Sequence, residues 1–198
     1  MSSLPATMPI TETPWTLPSR GRVGMFSLIA GETAIFTIFI VAYIYYIGKS
    51  LSGPMPRQVL EVPIFNTICL LSSSLTIHFA LRALQGGRIA AFKLFWFVTL
   101  SLGAIFLIGT GREWYRLITK EGLTITTNLF GTTYYSLVGL HAFHVSAGLV
   151  GLLTVMIFAL AARVNQEHAE RLDVFSLYWH FVDAVWVAVF IVVYIVGR

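Results

Sequence analysis

The sequence predicts an all-α membrane protein, a bundle of five transmembrane helices with its N-terminus inside and its C-terminus outside. Three observations carry the fold class. Hydrophobic residues make up 57% of the chain and charged residues only 11%, whereas an average soluble domain carries roughly 25% charged residues. Too few polar side chains exist to cover a water-facing surface. The apolar residues fall into five blocks, each near or above the ~20 residues needed to cross a bilayer at ~1.5 Å per residue. A barrel would instead need apolar and polar residues to alternate over segments of ~10 residues, a pattern absent here.

The segment 1–23, "MSSLPATMPITETPWTLPSRGRV", is polar and proline-rich and reads as a flexible tail. It has no apolar core or small-residue cleavage site of a signal peptide. Trp15 suits an anchor at the membrane surface. The rest, 24–198, forms the five-helix domain.

The first span covers about 24–47 and is ended by Gly48 and Lys49. The second covers about 63–84, with Pro63 at its start, where a missing N–H costs nothing. The third, about 91–111, stops before "REWYR". The fourth, about 131–162, is the longest. The fifth runs over about 175–197 to the end of the chain.

The chain turns between the second and third spans at Gly86-Gly87. The charged stretch "ARVNQEHAERLDV" suits a polar extension of the fourth helix, with Glu167 and Arg171 four apart. Asp173 then suits the N-cap of the fifth. Short links make consecutive helices antiparallel neighbours.

The net charge is +4, and the basic residues flank the apolar blocks. That distribution is of membrane flanks, not of a nucleic-acid patch. It is nearly even between the two sides. The loop "QGGRIAAFK", basic without an acid, tilts the N-terminus inwards under the positive-inside rule. Cys69 stands alone in an apolar run, as a small hydrophobe does.

Ionisable groups inside a bilayer are expensive, so each is a candidate for function. This chain has Glu32, His78, His141, His144, His180 and Asp183. Glu32 lies about eight residues into its span, ~12 Å deep. His78, His180 and Asp183 fall at similar depth, which places these groups within reach of one inner polar cluster. Asp183 shares a helix face with His180. His141 and His144 lie nearer the midplane.

A metal site needs several converging ligands. Only the His141/His144 pair is close in sequence, and the Glu-x-x-His pairs of di-iron bundles are missing. The histidines leave a haem open as an alternative. Proton carriage favours Glu32, since a carboxylate in apolar surroundings can stay neutral. A relay of such groups and a broken helix are not visible in the sequence. A plainer reading also covers these residues: they hydrogen-bond helices together. "SSS" at 72–74 and Gly139, Ala142, Ser146, Ala147, Gly148 and Gly151 add small residues that let helices approach closely.

"FGTTYYSLVGLHAFHVSAGL" (130–149) and "YWHFVDAVWVAVFIVVYIVG" (178–197) strongly resemble subunit III of the haem–copper terminal oxidases. "GETAIFTIFIVAY", "NTICLLSSSLT" and "LGAIFLIGTGREWYRL" resemble the earlier helices of the same family, in order.

The resemblance implies the short five-helix form of an accessory subunit of cytochrome c oxidase in the bacterial inner membrane. It implies no catalytic residue and no metal on this chain, with haem and copper in the partner subunits I and II. It also implies packing on subunit I, bound phospholipid and support of proton uptake and turnover, within an aerobic respiratory chain that can include a larger supercomplex. The family's intramembrane carboxylate falls at Glu32, and its histidine motifs at His141, His144, His180 and Asp183. The sequence departs at Thr110, where the family often has Gln before the acid at Glu113, and at Gly31, where it often has Ser.

A quinol oxidase subunit III and a nitric oxide reductase accessory protein are the alternatives within this class. An independent haem-binding protein, a proton channel and a lipid-binding assembly factor stand outside it. His141 and His144 are expected to be polar packing contacts.

Overall fold

The computed structural model describes residues 19–197, so the tail with Trp15 lies outside the described residues. The helices are α1 (Arg20–Tyr46), α2 (Pro56–Val59), α3 (Ile64–Gln85), α4 (Ile89–Thr119), α5 (Leu129–Leu160) and α6 (Ala169–Phe190). A π-helical turn, Ile191–Val196, continues α6. Five of the helical segments are long and apolar enough to cross a membrane.

Several ends differ from expectation. α1 begins at Arg20, because Arg22 pairs with Asp173 at 2.7 Å and holds the first turn against α6. α4 continues through "REWYR" to Thr119. Leu117 is buried there, and Arg116 donates to the Val59 carbonyl at 2.9 Å, so this turn has partners. The stretch after α5 is not a helical extension. Ala162 takes a left-handed backbone (φ 56), the chain turns, and a short 3₁₀ segment at Gln166–His168 precedes α6. Asp173 is therefore inside α6 and serves the ion pair with Arg22, not an N-cap.

The Gly86-Gly87 turn forms as expected. Gly87 adopts φ 71, which a side chain would strain, and Arg88 N–H closes on the Ala83 carbonyl at 2.8 Å. Asn128 caps α5 by accepting from Gly131 N–H at 2.8 Å. Its amide group donates to the Ser52 and Pro54 carbonyls at 3.0 and 3.1 Å, which ties the α1–α3 link to the start of α5.

α3 packs on α4 and α6, α4 on α5, and α5 on α6. α1 packs on α5 and α6 and not, as its place in the chain suggested, chiefly on α3. The long link carrying α2 permits that displacement. The core is aromatic: Trp96, Trp179, Trp186, Phe92, Phe106 and Tyr134 are fully buried. Trp179 is seated between two glycines. A Cβ at Gly148 would stand 2.7 Å from its ring, and one at Gly103 2.9 Å. Its indole N–H donates to Ser73 Oγ at 2.8 Å. Trp96 likewise donates to the Leu152 carbonyl at 2.9 Å. These are the small residues and hydroxyls at work that let membrane helices approach.

Candidate functional site

Glu32 of α1 meets His144 of α5: Oε2 and Nε2 are 3.1 Å apart. On its other side, His144 Nδ1 is 2.8 Å from the Leu140 carbonyl, one turn back in the same helix. A carbonyl only accepts, so Nδ1 carries a proton. Nε2 then either accepts from a protonated Glu32 or, as imidazolium, donates to the carboxylate. Both arrangements leave the pair without net charge, which the hydrocarbon favours. The Tyr178 hydroxyl donates to the His144 carbonyl at 3.1 Å, and Phe36 packs on the His144 ring at 5.0 Å. The Glu32 side chain keeps 22% exposure and His144 8%. The acid is thus the more accessible member of the pair.

The structure thereby separates Glu32 from the inner cluster expected for it. Depth along each helix suggested that cluster, but α1 lies against α5, and His144 is the nearest base.

Asp183 and His180 of α6 converge instead on Ser74 of α3. Ser74 Oγ is 2.9 Å from His180 Nδ1 and donates a short hydrogen bond to Asp183 Oδ2. Asp183 is buried, and its Oδ1 has no partner among the described residues. His78 lies one turn beyond Ser74 on α3 but is exposed and takes no part in the network. So three groups meet here, Ser74 among them, and the expected third member stands outside.

His141 departs from the expected polar contact. It is 1% exposed, and neither ring nitrogen has a hydrogen-bond partner among the described residues. It stacks on Trp186 at 5.0 Å and meets the edges of Phe106 and Phe36 at 5.8 and 6.4 Å. Its ring is used as an aromatic surface.

One cluster was missed by sequence reasoning. Tyr194 donates to Glu113 at 3.0 Å and lies 3.4 Å from the Tyr134 hydroxyl. Placing the end of the third span before Arg112 put Glu113 in a loop. The signal that locates it was the Tyr of the last span. Thr110, where the family often carries Gln, donates to the Phe106 carbonyl at 3.1 Å, and among the described residues no hydrogen bond joins it to this acid.

Among the described residues, no group of three or more His, Cys, Asp or Glu side chains is placed to hold a metal ion. His144 and His180 each spend a ring nitrogen inside the bundle, and His141 is enclosed by rings.

These features define a multi-pass α-helical membrane subunit whose buried polar groups bond across helices. The chain belongs to the cytochrome c oxidase subunit III family, whose model matches residues 19–198. It is 36% identical to cytochrome c oxidase subunit 3 of Bacillus sp. (strain PS3), covering 92% of this chain and 89% of that one. It is 32% identical to cytochrome c oxidase subunit 3 of Bacillus subtilis (strain 168), covering 96% and 94%. A protein called probable quinol oxidase subunit 3, from Staphylococcus saprophyticus, is 29% identical over 89% of each chain. The chain is accordingly a subunit of a haem–copper oxidase and a multi-pass protein of the bacterial plasma membrane.

Proposed function

We propose that this chain is the accessory subunit III of a proton-pumping cytochrome c oxidase that reduces oxygen to water. In this reading, a tail precedes one five-helix domain, with the N-terminus inside and the C-terminus outside. The domain packs on subunit I, holds phospholipid, and sustains proton uptake and turnover. Haem and copper sit in subunits I and II.

The Glu32–His144 pair carries the reading. It carries no net charge in either protonation arrangement, with the His144 ring buried and the Glu32 side chain partly exposed. Such a pair can keep a proton, or the end of a polar headgroup, at a partly exposed edge of the bundle without conducting through it. That is an accessory's role, since the described residues show no chain of acids and histidines leading away from the pair. Asp183 and His180 bond to Ser74 on the α3 side of α6 instead.

The quinol oxidase is the second reading, favoured by the similarity to the staphylococcal protein. Glu32, where quinol oxidases often carry Asp, favours cytochrome c.

The test is to purify the oxidase with this chain and follow oxygen consumption with reduced cytochrome c and with quinol. Turnover on cytochrome c is expected. Glu32→Ala should leave the initial rate standing and shorten the number of turnovers before activity is lost. Immediate loss of all activity would move Glu32 into an essential proton route, and turnover on quinol alone would select the second reading.

A further inference from the structure

We propose that Tyr194 and Glu113 form a redox site: an oxygen-derived radical at the membrane surface draws one electron from Tyr194, and the phenol proton passes to Glu113. This activity would belong to the chain itself, whichever complex it serves.

Removing one electron from a phenol makes its proton strongly acidic. In a dry interior the proton has nowhere to go unless a base touches the hydroxyl. The buried and half-buried tyrosines differ in this respect. The Tyr43 hydroxyl has no partner among the described residues. Tyr135 donates to the Leu123 carbonyl at 2.8 Å and Tyr178 to the His144 carbonyl at 3.1 Å. Amide oxygens accept a hydrogen bond but do not keep a proton. Tyr194 donates instead to a carboxyl group, with Oε1 and Oε2 of Glu113 at 3.2 and 3.0 Å. Glu113 also lines a cleft of about 270 Å³ with Glu61, Asn66, Arg112 and Arg116, so the acid meets polar surroundings on its other side.

Tyr194 is 2% exposed, so an oxidant does not meet it directly. Rings lead to it. Trp114 is half-buried, and its ring centre lies 5.4 Å from that of Tyr135. Tyr135 is 5.2 Å from Tyr134 in the same measure, and the Tyr134 hydroxyl is 3.4 Å from that of Tyr194. An electron vacancy opened at Trp114 passes from ring to ring and rests at Tyr194, the stop that has a base. Tyr194 stands in the π-helical turn, where Gly197 N–H closes on the Val192 carbonyl at 2.9 Å. Turns of this kind are rare and recur at functional sites.

The step balances. The radical is reduced by one electron, the phenolic O–H bond breaks and an O–H bond forms on Glu113. A neutral tyrosyl and a neutral acid remain, and the apolar surroundings favour that loss of charge. A thiol or hydroquinone at the surface returns the electron by the same rings, and Glu113 returns the proton. Meanwhile the oxidising equivalent is held inside the bundle, away from acyl chains.

The test uses the full chain in detergent, with helix content checked by circular dichroism. Flash-generated ruthenium(III) tris-bipyridyl oxidises it, and samples are frozen after increasing delays for electron paramagnetic resonance. A tyrosyl signal should outlast those of the exposed Tyr45, Tyr46 and Tyr115. Tyr194→Phe should abolish the lasting signal, and Tyr115→Phe should leave it. Glu113→Gln, whose amide accepts a hydrogen bond but takes no proton, should lower its yield several-fold. Trp114→Phe should delay its appearance. In deuterated buffer the unaltered chain should show deuterons from both Glu113 and Tyr134 coupled to the radical oxygen, a readout that holds even where a variant fails to fold.

A lasting signal that survives Tyr194→Phe, a yield indifferent to Glu113→Gln, the lack of a coupled Glu113 deuteron, or no radical outliving the exposed tyrosines would each overturn the proposal. None of these results bears on the proposed function, which the assay with reduced cytochrome c and quinol decides separately.

Discussion

Glu32 is held from the margin of the bundle, Asp183 from within it. The helix that carries Glu32 buries only Phe36 and Tyr43 among its residues. α6, which carries Asp183, buries Trp179, Trp186 and six further side chains. The Glu32–His144 bond therefore supplies a large share of what fastens α1. The Ser74–His180–Asp183 bonds are a smaller share of what holds a seam that aromatic packing already closes, although losing Ser74 would strand a buried acid. In a membrane, where apolar burial against lipid adds little, a polar contact counts for most where packing is thin.

Trp179→Ala should be the harshest test of the packed side. Deleting a fully buried indole between two glycines is expected to cost about 3–5 kcal/mol, read as unfolding of the isolated chain in detergent. An unchanged transition would mean that the α4–α5–α6 contact does not depend on this ring.

Ser74→Ala comes next. It leaves Asp183 with no partner and should destabilise by roughly 1–3 kcal/mol, with hydrogen exchange rising along α3 and α6 but not along α1.

Glu32→Ala should show the reverse pattern at about 1 kcal/mol: faster exchange in α1 and little change elsewhere. Glu32→Gln sharpens it. An amide donates to Nε2 as a protonated acid does, so α1 stays docked if the pair is neutral acid and neutral ring. Loss of α1 in that variant would identify the carboxylate–imidazolium form.

The smallest effect is expected at His141→Phe. Stacking on Trp186 survives and two unpartnered nitrogens disappear, so stability should hold or rise by up to ~1 kcal/mol. A clear loss would show that the ring has a polar partner after all.

The spans were legible because hydrocarbon thickness imposes a length that composition reveals. Helix order around the bundle was not. Sequence distance placed α1 beside α3, but the link 47–63, with α2 inside it and Asn128 clasping it, brings α1 to α5. The misplaced Glu32 follows from that. Glu32 could be recognised as an intramembrane acid from its neighbours, yet its partner His144 belongs to a helix found only by folding. The same holds for Ser74, one of three serines in a row and the only one that reaches both His180 and Asp183. His141 shows a different limit. Its spacing from His144 suggests a matched pair, but positions three apart on a helix are rotated enough for one ring to meet an acid and the other a tryptophan.

The seat of Trp179 has a mechanical consequence. One rigid plate is wedged between α4 and α5 and pinned to α3 through Ser73, so sliding any of these helices along α6 would drive carbon into carbon. The four are interlocked at this ring, whereas α1 is joined to them by the Glu32–His144 and Arg22–Asp173 contacts and by Phe36 and Tyr43. A bulkier residue at Gly103 or Gly148 would therefore have to push the ring against the helix on its far side, disturbing two contacts at once.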